Sequence, residues 1–220
     1  MTGGRFHLPP AGRVHSGLYY SELGRRLGAP AREVNVSKRV LIAGVLGALA
    51  MYFWVSIAHM ALPLGEAGLR QIDNEEPLLA AMKSTLPDHG TYIFPKMNPG
   101  DQAASEKKMA TGPSGMLIYF PARDFQFGKS LAIEFLTELL PVMIGMYLLS
   151  LTGIATFAGR VGFFALLGLA VATATNVSYW NWYGFSTTYT LAYSFTTWTG
   201  FLFAGMVAGA MKIGGAEADS

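Results

Sequence analysis

Four long apolar runs, each ended by charged or turn-forming residues, set the pattern of this chain. Crossing a bilayer takes roughly 20 apolar residues in helical form, at about 1.5 Å per residue. The runs at 40–62, 130–152, 161–178 and 189–211 are of about that length, so the pattern predicts four transmembrane helices. Only "SYWNWYGF" separates the third from the fourth. It reads as an aromatic turn, because Asn176, Asn181 and Gly184 interrupt the apolar run there. The first run is too long and too far from Met1 for a signal core, and lacks a small-x-small cleavage site, so it reads as a retained helix.

Residues 63–129 have a different texture. "DNEEPLLAAMKSTLP" predicts a short helix, with Asp73 or Asn74 as N-cap, acids in the first turn and Pro87 as a stop. "TYIFP" and "GMLIYFP" are β-like runs bounded by Gly and Pro, and they predict a pair of strands. The polar stretch between them reads as a loop with one helical turn. The expected fold class is therefore an all-α membrane protein of four transmembrane helices. A small α+β extracytoplasmic insertion, the cap domain, lies between helices 1 and 2.

The N-terminal arm, 1–39, shows no sustained period, yet Phe6, Leu8, Leu18, Tyr19, Tyr20 and Leu23 are many large apolar groups for a solvated segment. It reads as a flexible tail, as a short interfacial helix around Ser16–Leu27, or as an arm lying on a partner subunit. Residues 212–220 form a tail.

Composition agrees with this picture. Half of the 220 residues are hydrophobic, 26 are glycine and the formal charge is +2. That charge gives no reason to expect nucleic acid as a partner. With no cysteine the chain has no disulfide framework, thiol nucleophile or thiolate metal site. Arg25, Arg26, Arg32, Lys38 and Arg39 precede the first helix, and Arg160 and Lys212 fall on the same side after an even number of crossings. The positive-inside rule then predicts a multi-pass protein of the bacterial inner (cytoplasmic) membrane with both termini in the cytoplasm.

The candidate chemistry lies in the second helix. Ser130, Glu134, Thr137, Glu138, Pro141 and Gly145 recur at spacings of three and four and share one face, while Leu131, Phe135, Leu139 and Met143 suit lipid. Ionisable side chains in such a segment turn towards the bundle interior or a partner. With His59, Asn176 and Thr190, Glu134 and Glu138 form an expected polar cluster near one membrane face. A carboxylate–histidine cluster of this kind relays protons, holds a small cation or binds a metal. The plainer alternative is a hydrogen-bonded seam, with Glu138 bonded to Thr137 or a neighbouring helix, and the sequence favours it. No metal site is favoured. His59, Glu134 and Glu138 are the candidate ligands, one histidine being few for a metal enzyme.

Gly44, Gly145, Gly205 and Gly209 are expected to seat neighbouring helices closely. Tyr179, Trp180, Trp182 and Tyr183 read as an aromatic belt. They are also the preferred docking surface for a lipid, quinone or partner. No motif implies a cofactor or a catalytic residue.

The segments "HMALPLGEAGL", "EEPLLAAMK", "GTYIFP", "PSGMLIYFP", "EFLTELL" and "SYWNWYGFSTTYTLA" together resemble a family of bacterial four-helix integral membrane proteins without assigned function. The resemblance covers about Arg39 to Met211 and implies four helices with an outer domain between the first two. It implies no chemistry. From the sequence the expected function is a non-catalytic accessory subunit of a larger membrane complex, respiratory or photosynthetic. Its partners would be membrane lipids and other membrane protein subunits. The alternative is a small transporter or proton- or cation-coupled protein using Glu134, Glu138 and His59.

Overall fold

A computed structural model describes residues 37–215. Residues 1–36 of the N-terminal arm, including the proposed interfacial helix at Ser16–Leu27, lie outside the described residues, while Ser37, Lys38 and Arg39 belong to the start of the first helix.

Ser37 opens the first helix, α1 (Lys38–Met60), its hydroxyl accepting from the Val40 amide. The cap follows, with α2 (Glu76–Thr85), β1 (Gly90–Phe94), α3 (Gln102–Thr111) and β2 (Gly115–Tyr119). The two strands pair antiparallel, from Gly90 opposite Tyr119 to Phe94 opposite Gly115, as their Gly and Pro boundaries predict. Two details differ from the expectation. α2 starts at Glu76 with Pro77 in its first turn and Glu75 at the N-cap, without a side-chain cap from Asp73 or Asn74. The polar stretch between the strands forms a ten-residue helix, because Asp101 caps the Ala104 amide and Ser105 is buried in two hydrogen bonds, one to Asp101 O and one from Asn98 N.

The remaining long helices are α4 (Phe127–Ser150), α5 (Phe157–Ala172) and α7 (Thr187–Ala210). From α5 a π-helical turn, Thr173–Val177, leads directly into α6 (Ser178–Tyr183), giving one continuous helix of 27 residues. The expected aromatic turn is thus corrected. Asn176 and Asn181 do not break the helix. The chain reverses only at Gly184, whose φ of 73° is the left-handed conformation that ends helices, and Ser186 then caps α7. In the π turn the Thr173 and Thr175 hydroxyls donate to carbonyls one turn back.

Four helices are therefore long and apolar enough to cross a membrane. Their outward faces carry stripes such as Ile133, Leu136, Leu140, Ile144 and Leu148, far more apolar surface than a soluble monomer leaves exposed. The α4 stripe also corrects the expected lipid face. Phe135, Leu139 and Met143 pack inward on α1, Phe135 edge-on to Tyr52.

α7 is the central helix, packed along α5 and α1, while α4 lies mainly on α1. Small residues allow this. A β-carbon at Gly205 would lie 2.8 Å from Phe164 Cβ and 3.1 Å from Val161 Cα. Gly44 meets Met143, Gly145 meets Phe164 and Leu167, and Gly209 meets Phe157. The core is Phe164, Phe201, Met146, Leu149 and Val142, all fully buried.

Candidate functional site

On α4 every buried residue lies at or beyond the midpoint, at Glu138, Val142, Gly145, Met146 and Leu149. Those positions follow one helical stripe. Nearer the cap, α4 parts from α7 and a cavity of about 460 Å³ opens between α1, α4 and α7. Glu138 is eleven residues into the helix, about 16 Å along it and close to its midpoint.

The cavity collects four groups that the sequence scatters over 135 residues: His59, Glu134, Glu138 and Tyr193. Glu134 is exposed, whereas Glu138 is only 5% exposed, one turn deeper on the same helix. Neither Glu138 oxygen has a hydrogen-bond partner among the described residues. The expected hydrogen bond from Glu138 to Thr137 or a neighbouring helix is therefore not made among the described residues. Thr137, its candidate partner, is exposed and donates instead to the Glu134 carbonyl at 2.8 Å.

His59 is held from two sides. Its Nδ1 lies 2.9 Å from the Val55 carbonyl, which can only accept, so Nδ1 carries the proton. Its Nε2 is then free to accept from the Tyr193 hydroxyl at 3.4 Å. The Tyr193 ring is edge-on to His59 and stacked on Tyr189, with centroids 4.3 Å apart. His59 also lines a second cavity, of about 330 Å³, together with Glu66. One imidazole is thus shared between the carboxylate cavity and a space bounded by an acid of the cap-side loop. Arg123 stands at the mouth over the Phe120 and Phe125 rings.

Two members of the expected cluster are not brought here. Thr190 is buried, but its hydroxyl donates to Ser186 O at 3.0 Å within its own helix. Asn176 lies in the π turn, away from the cavity wall. Both were placed by depth alone, and their helical rotation carries them elsewhere. α7 contributes Tyr193, Thr196 and Thr197 instead. That face was partly legible, since Tyr189, Tyr193 and Thr196 recur at spacings of four and three. Among the described residues no three histidine or acidic side chains converge to hold a metal ion.

Tyr179, Trp180, Trp182 and Tyr183 lie on α6, all exposed, Trp182 at 77%. Sequence reasoning treated Arg160 only as a topological charge. It is buried in the first turn of α5, where Nε, Nη1 and Nη2 donate to the carbonyls of Ile213, Ala155 and Gly214.

Comparison with family models, curated proteins and solved structures finds no match to this chain.

Proposed function

We propose that this is a small proton- or cation-coupled membrane protein whose working group is the Glu138 carboxyl. The observation that carries the reading is the burial of that carboxyl, unpartnered, in the wall of a cavity shared with His59, Glu134 and Tyr193. An ionised carboxylate without partners in apolar surroundings costs several kcal/mol, so the position demands a proton or a cation. The facing titratable groups are Tyr52 and His59 on α1, Glu134 on α4 and Tyr193 on α7. His59 offers Nε2 to the cavity and touches the Glu66 space, which suits it to pass protons between the two. The membrane is read as the bacterial inner membrane, with the cap outside. Lys38, Arg39, Arg160 and Lys212 all belong to the opposite end of the bundle, which supports cytoplasmic termini.

The test is isosteric. In proteoliposomes with an internal pH dye, an imposed sodium or organic-cation gradient should move protons with the wild-type chain. Glu138→Gln should abolish this movement, together with the infrared carbonyl band of a protonated acid that responds to pH. A variant that still moves protons like wild type would overturn the reading.

A second reading, a non-catalytic accessory subunit of a larger membrane complex, is supported by a different observation. Ile93 and Ile118 on the cap strands are 63% and 62% exposed, beyond the long helices where lipid would cover them. The exposed α6 aromatics offer a further surface, for a lipid, quinone or subunit. On this reading mild-detergent purification yields a hetero-oligomer of fixed stoichiometry, and recovery as a free monomer counts against it.

A further inference from the structure

The cavity has a chemical character beyond its carboxylates. Tyr52 and Tyr193 form part of its sides, and Phe125 and Phe127 part of its cap-end rim. Its volume of about 460 Å³ falls inside the roughly 300–1,000 Å³ range of small-ligand pockets. A bare proton needs no such space. A divalent metal ion needs several strong ligands converging at short range, and among the described residues no group of three or more histidine or acidic side chains forms. An anion would meet two carboxylates. A neutral apolar molecule would cover the Glu134 carboxylate without bringing a counter-charge.

We propose that the ligand is an amphiphilic organic monocation, an ammonium or similar charged head on an apolar body, held between the Glu134 carboxylate and the aromatic walls. This rests on the coupling reading above and names the substrate class of that same site. A weakly hydrated organic cation gives up little solvation on entering, and gains from ring faces and carboxylates together. Glu134 is the carboxylate it meets first, being exposed to the cavity. The face of Phe125 is already taken by Arg123, 5.3 Å from its centroid, so the charged head is directed past the rim towards the carboxylates. Glu138, one turn deeper in the same cavity wall, gives up its proton through the cavity to the buffer as the positive charge arrives. Charge in the buried layer is thereby conserved.

The experiment uses two probes of the same shape and opposite charge, tetraphenylphosphonium and tetraphenylborate. Each is titrated onto the full chain in nanodiscs, with empty nanodiscs subtracted. The phosphonium should bind saturably with release of a proton, and the borate should remain at background. Glu134→Gln should weaken phosphonium binding by about tenfold or more, the scale of one close opposite charge lost from a partly desolvated wall. Glu138→Gln should remove the proton release. Equal binding of the two probes would overturn the proposal. So would wild-type phosphonium affinity in a monodisperse Glu134→Gln, Glu138→Gln double variant. If either occurs while the Glu138 infrared band still responds to sodium, the ligand class fails and the coupling reading stands. If that band is insensitive to every cation and to pH, both fail.

Discussion

Gly205→Ala is expected to lower the thermal midpoint of the detergent-solubilised protein, whereas Gly162→Ala, the same methyl added to the facing helix, leaves it unchanged or raises it. At Gly205 the new β-carbon falls 2.8 Å from Phe164 Cβ and 3.1 Å from the Val161 backbone. Neither can yield cheaply. Phe164 is fully buried between α4 and α7, and Val161 belongs to the helix itself. The two helices must separate, and overpacking of this kind costs about 1–3 kcal/mol. At Gly162 nothing lies within 4 Å of the added carbon. There only the gain in helix propensity acts, up to about 1 kcal/mol in favour of alanine. The contrast in sign is the test. A Gly205→Ala variant as stable as Gly162→Ala would mean that α5 and α7 do not approach as described.

Arg160→Ala is expected to be more damaging, by about 3 kcal/mol or more. The guanidinium is buried and makes three hydrogen bonds to carbonyls, two of them on Ile213 and Gly214, just past the end of α7. Each charge-assisted bond contributes about 1.5–3 kcal/mol, offset in part by the cost of burying the charge. The C-terminal end of a helix favours a cation, which lowers that cost. The same segment is closed by Ile213 N donating to Ala208 O and Lys212 N donating to Gly209 O, with Lys212 in a left-handed conformation. Loss of Arg160 should therefore release this turn first. Amide exchange at Lys212 and Ile213 should quicken more than in α1, and Arg160→Lys should fall between, because an ammonium lacks the planar fork. Unchanged exchange at those two amides would show that the clamp does not hold the turn.

These residues mark the boundary of what was legible. The four long apolar helices could be read because length and apolar period are local properties, written in consecutive residues. The strand pair could be read from "TYIFP" and "GMLIYFP" for the same reason. The end of the third span was misjudged at "SYWNWY", where polar and aromatic residues keep helical geometry and only Gly184 leaves it. The lipid face of α4 was misjudged because two adjacent stripes on one helix look equally apolar until a neighbour selects one.

The cluster shows the same division. Sequence alone determined that Glu134 and Glu138 stand one turn apart on an apolar helix, and that His59 lies at a similar level. It could not determine that one carboxyl is sealed and the other open. That depends on how the helices around α4 close on it, Gly145 meeting Phe164 and Leu167 of α5 lower in the bundle while the cavity opens nearer the cap. Nor could it determine that Tyr193 meets His59 across 134 residues, or that Arg160 reaches Ile213 and Gly214. Helical spacing sets which side chains share a face. Only packing between helices sets what that face meets, because each residue turns the face by about 100° and a neighbour's shape fixes the final rotation.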